Sequence, residues 1–133
     1  MSRKAKGSNA ERELLHMFWK NKWYCVRVAG SGSMVYPSPD ILASNGLRRL
    51  AIECKATKEQ KKYFSEKEIN DLVEFSKGFR AEPWIAIKID KEQWYFMSVE
   101  DMNQAKNNNF SISLEDLKRK GLIFDELIEV NSP

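Results

Sequence analysis

The chain has 133 residues, 42% of them apolar and 31% charged, with a net charge of +3. That length fits one domain with one core, and the apolar share argues against disorder along the whole length. No apolar run approaches the ~20 residues of a membrane helix, and the polar, basic start does not read as a secretory signal. Two cysteines, Cys25 and Cys54, lack CxxC spacing and a neighbouring histidine cluster. A zinc site is not expected, and a reducing, cytoplasmic setting is.

The small net charge hides an asymmetry. Residues 1–65 carry 13 Lys/Arg against 5 Asp/Glu, a net of +8, and residues 66–133 carry 9 against 14, a net of −5. A basic half suggests a face for a polyanion, most often nucleic acid. It does not separate an enzyme from a binding module.

In chain order, residues 1–7 read as a flexible basic arm. Ser8 and Glu11 have the spacing of a capping box, and Leu14, Leu15 and Phe18 continue a helix over about 8–21. Residues 23–28 read as a strand, and the glycine-, serine- and proline-rich residues 29–39 as a loop. Ile41 to Ala43 and Arg48 to Ala56 read as two strands joined by a tight hairpin turn at Asn45-Gly46. A capping box at Ser65 and Glu68 opens a helix over about 65–78, with a stripe of Ile69, Leu72, Val73, Phe75 and Ser76 and a stop at Gly78.

Residues 84–89 are nearly all apolar and read as a central buried strand, paired back by 94–98. Residues 99–109 read as a connection, 113–120 as a short capped helix and 122–133 as a final packed element. Helix, three strands, helix and two strands predict an α/β fold. The expected core is a mixed β-sheet of about five strands flanked by helices, in a single domain over 1–133. The second helix and the aromatic strands 84–89 and 94–97 also offer apolar surface that a dimer could share.

The residues that carry chemistry begin at Pro39-Asp40 and continue at Glu53-Cys54-Lys55. Asp40 starts one hairpin strand and Glu53 lies on the strand returning beside it, so the carboxylates can converge. Glu53 and Lys55 are two apart on a strand and leave the same face. Two carboxylates and a backbone carbonyl, such as that of Cys54, suit Mg²⁺. A lysine beside them can polarise a water or neutralise charge on a phosphate. The bland reading is a turn aspartate beside an outward Glu–Lys ion pair.

Glu11 completes a helix cap on one reading. On the other it points along the buried face, where it can reach a metal near the sheet. Arg12 faces a phosphate or solvent. The loop from Arg27 to Ser33 can approach a nucleic-acid backbone closely, and it matches neither the Walker nor the dinucleotide glycine pattern, so no nucleotide cofactor is expected. One histidine, His16, leaves a histidine-based nuclease or a serine triad poorly supported.

Taken in order, Lys6-Gly7-Ser8-Asn9-Ala10-Glu11-Arg12, then Arg27 with Gly30-Ser31-Gly32-Ser33, then Pro39-Asp40, then Ile52-Glu53-Cys54-Lys55, form a recognisable set. This order resembles the archaeal-type Holliday junction resolvases, the Hjc family of the PD-(D/E)xK nuclease superfamily. The likeness covers about residues 4–98 and includes Leu72 to Ser76 and Ile85 to Lys88. It implies a restriction-endonuclease-like core and a homodimer that nicks opposing strands of four-way junction DNA during recombination.

It further implies Mg²⁺ (with Mn²⁺ able to substitute) held by Asp40, Glu53 and the Cys54 carbonyl, with Lys55 assisting the attacking water. Glu11 would be the extra acidic residue, and Ser31 would help place the scissile phosphate. Arg3, Lys4, Lys6, Arg12, Arg27 and Ser33 would contact DNA. The alternatives are another nuclease of the superfamily acting on duplex or flap DNA, or a non-catalytic DNA-binding module. Residues 99–133 carry no matching motif.

Overall fold

The structure is a computed structural model that describes residues 3–30 and 35–129, leaving the side chains of residues 3–5 undescribed. Helix α1 (Arg3–Lys20) opens the chain, five residues before the expected start. Residues 3–7 are therefore helical and do not form a separate arm, and Ser8 lies inside the helix. Arg3, Lys4, Ala5 and Lys6 are strong helix formers, and the one glycine among them costs only about 1 kcal/mol. Lys22, at φ 66°, ends the helix, with the Trp23 N–H donating to the Phe18 carbonyl at 3.1 Å. A lysine here fills the left-handed position that glycine usually takes.

Strands β1 (Tyr24–Arg27), β2 (Ile41–Ser44) and β3 (Arg49–Thr57) follow. After β4 (Lys61–Phe64), α2 (Glu66–Phe79), β5 (Glu82–Ile89) and β6 (Trp94–Ser98), a single 3₁₀ turn leads to β7 (Asn103–Gln104). The chain finishes through β8 (Phe110–Ser113), α3 (Leu114–Lys120), β9 (Leu122–Ile123) and α4 (Phe124–Glu129). The main sheet has six strands in the order β1-β2-β3-β5-β6-β9, and β4, β8 and β7 form a second sheet of three. The main sheet is mixed, because β3 and β5 run parallel through the α2 crossover while the other pairs are antiparallel. No described helix is long and apolar enough to cross a membrane.

Alternation along β3 divides the core in two. Leu50, Ile52 and Cys54 pack with Leu14 and Phe18 of α1 and with Phe124 and Leu127 of α4. Ala51 faces the other way, where Ile69 and Leu72 of α2 pack with Ile85, Ile87, Phe64 and Ile112. Ser76 joins the buried stripe of α2, as its spacing predicts. Trp23, Trp84 and Trp94 are all buried, and the Trp94 indole N–H donates to Glu13 of α1 at 2.8 Å. Most of strands β5 and β6 is therefore taken up by the core.

Two turns differ from expectation. The hairpin loop is four residues long, since Ser44 pairs with Arg49, and the Asn45 side chain accepts from the N–H groups of Leu47 and Arg48. The extra length carries Arg48 inward, where it is buried and paired with Glu82. Helix α2 runs past Gly78 and stops at Arg80, at φ 55°. Its start is the predicted capping box, with the Glu68 N–H donating to Ser65 Oγ at 3.1 Å and the Ser65 N–H to Glu68 Oε1 at 3.2 Å. Ser65→Ala is expected to cost about 1 kcal/mol in urea denaturation, the worth of one N-cap acceptor.

Candidate active site

The β2–β3 pair brings the carboxylates together. Asp40 stands one residue before β2, its N–H donating to the Ile52 carbonyl at 3.0 Å and its carbonyl accepting from Val28 N–H at 2.9 Å. Its backbone is thus held between β1 and β3. Its Oδ2 accepts from the Cys54 N–H at 2.8 Å. The N–H and C=O of one strand residue point to the same side, so the Cys54 carbonyl also faces the space beside Asp40, beyond the end of β2.

Glu53 is hydrogen-bonded to Asp40 through their carboxyl groups. Burial first, then the charge of Asp40 and that hydrogen bond, push the Glu53 carboxyl up to about 9. Two carboxylates this close cannot both stay ionised in a half-dry cleft, so one keeps a proton at neutral pH. Lys55 leaves the same face of β3, with its Nζ 3.5 Å from Glu68 Oε2 on α2.

Glu11 reaches the same place from α1. Burial and the charge of Asp40 raise its pKa, opposed by Arg27, whose Nε and Nη2 donate to Glu11 Oε1 at 3.2 and 3.1 Å. Glu11 is thus a member of the carboxylate cluster and no helix cap. A cavity of about 430 Å³ is lined by Glu11, Asp40, Glu53, Cys54 and Lys55, facing Lys67, Glu68 and Asp71 of α2.

The expected DNA-contacting residues are more scattered. Arg27 is occupied by Glu11, because β1 packs against α1. Arg12 is exposed and donates to Asn9 Oδ1 at 3.3 Å. Lys6 borders a different cleft, with Lys88 and Lys91. Ser31 and Ser33, and the side chains of Arg3 and Lys4, lie outside the described residues. Both cysteines are free and buried, and burial pushes Cys25 up to about 12, so these thiols stay protonated.

The donors fit a hard divalent cation. Among the described residues, no group of three or more His, Cys, Asp and Glu side chains forms a ready metal cluster. Two adjacent carboxyl groups, with a carbonyl directed at the same space, are oxygen ligands of the number Mg²⁺ takes when it keeps waters and substrate oxygens. A cation would replace the proton.

The family model for the archaeal Holliday junction resolvase (hjc) matches residues 2–132 of the chain. The chain belongs to this family. It is 39% identical over 129 residues to the crossover junction endodeoxyribonuclease Hjc of Archaeoglobus fulgidus, covering 92% of this chain and 95% of that one. It is 37% identical over 117 residues to the Hje enzyme of Saccharolobus solfataricus, covering 84% of this chain and 85% of its relative. The solved structure of Archaeoglobus fulgidus Hjc, a Holliday junction resolvase from an archaeal hyperthermophile, superimposes with a TM-score of 0.85, covering 90% of this chain and 96% of that one. The resolvase match extends through residues 99–129, where the sequence carries no motif.

One cavity residue of this resolvase-family chain escapes sequence reading. Glu68 is legible there only as the third residue of a helix cap. Its second contact, with Lys55, depends on α2 lying against β3. The available signal is its place in the first turn of the first helix after Glu53-Cys54-Lys55.

Proposed function

We propose that this chain is a Mg²⁺-dependent crossover junction endodeoxyribonuclease, acting as a homodimer that nicks opposing strands of four-way junction DNA, with Mn²⁺ able to substitute. The observation that carries this reading is the convergence of Asp40, Glu53 and Lys55 in one cavity of a resolvase-family fold. Asp40, Glu53 and the Cys54 carbonyl would hold the cation. When bound, it would supply a more acidic water and positive charge at the phosphate.

The remaining work falls to the chain's own groups. Lys55 directs its ammonium into the cleft, where it can stabilise charge developing on the scissile phosphate. Glu11 adds negative charge at the mouth, and Arg27 limits it by pairing. Ser31, Ser33, Arg12, Lys6 and the residues Arg3 and Lys4 are assigned to phosphate contacts, which position the junction without reading bases. Exposed Trp19, Tyr24, Val26 and Phe79 border one apolar cavity beside edge strand β1, a face suited to a second copy. A DNA substrate also accords with an intracellular, cytoplasmic place of action.

The test uses an end-labelled immobile four-way junction and a linear duplex of matching sequence, in Mg²⁺ or EDTA. Paired nicks in the junction alone are expected, and only with the cation. Lys55→Ala is expected to slow cleavage about 10²-fold while still binding the junction. Equal cutting of the duplex would replace the resolvase with a general nuclease. Tight binding without cutting in Mg²⁺ or Mn²⁺ would leave a DNA-binding module. Light scattering of the active protein as a monomer would remove the dimer.

A further inference from the structure

Lys55 sits on a flexible four-carbon stem, and holding such a side chain in one rotamer costs up to about 2 kcal/mol of entropy. Two residues back along the same face lies Glu53, toward which the ammonium could fold. The ammonium pairs with Glu68 Oε2, at 3.5 Å. The other oxygen of Glu68 is already engaged, since Oε1 accepts from the Ser65 N–H at 3.2 Å and lies 3.3 Å from Ser65 Oγ. One carboxylate therefore closes the cap of α2 and pairs with the lysine of β3.

We propose that Glu68 is a positioning residue for the cleavage reaction, which holds the Lys55 ammonium at the cleft by pairing with it from α2. The inference rests on the nuclease reading of Lys55 given above. Its physical basis is that Glu68 is anchored by its own helix before DNA arrives. The lysine then meets a fixed partner, and its amine points at the substrate space from the outset. Glu68 touches Lys55 and not the reacting atoms, so its effect passes through the lysine.

Glu68→Gln is the decisive variant, because glutamine keeps an oxygen for the Ser65 N–H and removes only the charge. With enzyme saturating over a four-way junction in Mg²⁺, its single-turnover cleavage is expected to fall about tenfold to a hundredfold. Junction affinity in EDTA and melting temperature should match the wild type. In the double variant with Lys55→Ala, cleavage should be no slower than with Lys55→Ala alone.

Wild-type cleavage by Glu68→Gln beside a slow Lys55→Ala overturns this inference and leaves the nuclease reading standing. A double variant slower than Lys55→Ala by the full Glu68→Gln factor also overturns it, since Glu68 would then act independently of the lysine. Wild-type cleavage by Lys55→Ala overturns both readings together.

Discussion

Glu53→Gln should abolish junction cleavage, with a loss of about 10³-fold or more, while making the metal-free protein more resistant to heat. The two effects have one origin. Burial, the charge of Asp40 and the hydrogen bond between the carboxyls raise Glu53 to about 9, against 4.5 for the free group. Between those values the folded state holds a proton that the unfolded chain releases. The stability of the metal-free protein therefore falls as pH rises from about 4.5 towards 9.

Glutamine is neutral throughout and can still donate to Asp40, so it removes that slope and the proposed cation ligand together. Melting curves in EDTA at pH 6 and pH 9 check the sign: the wild type should lose ground to Glu53→Gln at the higher pH. Parallel slopes for the two proteins would contradict it. Asp40→Asn should lose cleavage to a similar degree, because it keeps an oxygen for the Cys54 N–H but not the charge. Cation binding near neutral pH should also release a proton, which calorimetry in two buffers of different ionisation enthalpy would register.

Arg48→Ala should be the most damaging change to the fold outside the hydrophobic core, at about 3 kcal/mol. Arg48 donates from Nε to Glu82 Oε2 at 2.8 Å and from Nη2 to Glu82 Oε1 at 2.9 Å. Its Nη1 donates to the Leu127 carbonyl at 2.7 Å, and its guanidinium lies 5.6 Å from the centre of the Trp23 ring. One side chain thus ties the β2–β3 turn to β5, to the last helix and to the first core.

Its loss strands a buried carbonyl and an acid whose burial alone would raise its pKa. The bonds from Arg48 and the Trp84 indole instead hold Glu82 below the usual range. The pair's contribution is present above the free-acid value and is lost as pH falls through the lowered one. Urea denaturation at pH 7 and pH 4 should show the Arg48→Ala deficit shrinking in acid. The cleavage rate of the still-folded fraction should persist, since Glu53 lies five residues along β3, about 16 Å from Arg48.

Local chemistry was legible wherever one strand pair or one helix face sufficed. Asp40, Glu53 and Lys55 could be assembled on paper because alternation sets which side chains share a face and an antiparallel pair sets which residues meet. The spacing of Leu14 and Phe18 left Glu11 open between a helix cap and the buried face, and the helix start at Arg3 removes the cap reading. The capping box at Ser65 and the short capped helix from Ser113 were equally local, and both are present. Strand β9, only two residues long, was not, because it owes its existence to pairing with Tyr95 and Phe96. Strand β4 was missed for a related reason: Lys61 and Lys62 carry no apolar signal, and their partner β8 lies some fifty residues on.

The amino-acid sequence alone specifies the strand that bears the proposed catalytic set, the order of its motifs and hence the family. Those depend on residue type and short-range spacing. The partners of the charged groups depend on packing in three dimensions: Arg27 pairs with Glu11, Lys55 with Glu68, and Arg48 with Glu82 and the final helix. Each of those pairs joins residues at least 13 positions apart in the chain. Long charged side chains rotate freely on their own elements, and they select a partner only when packing of the two cores has brought that element within reach and removed the competing water.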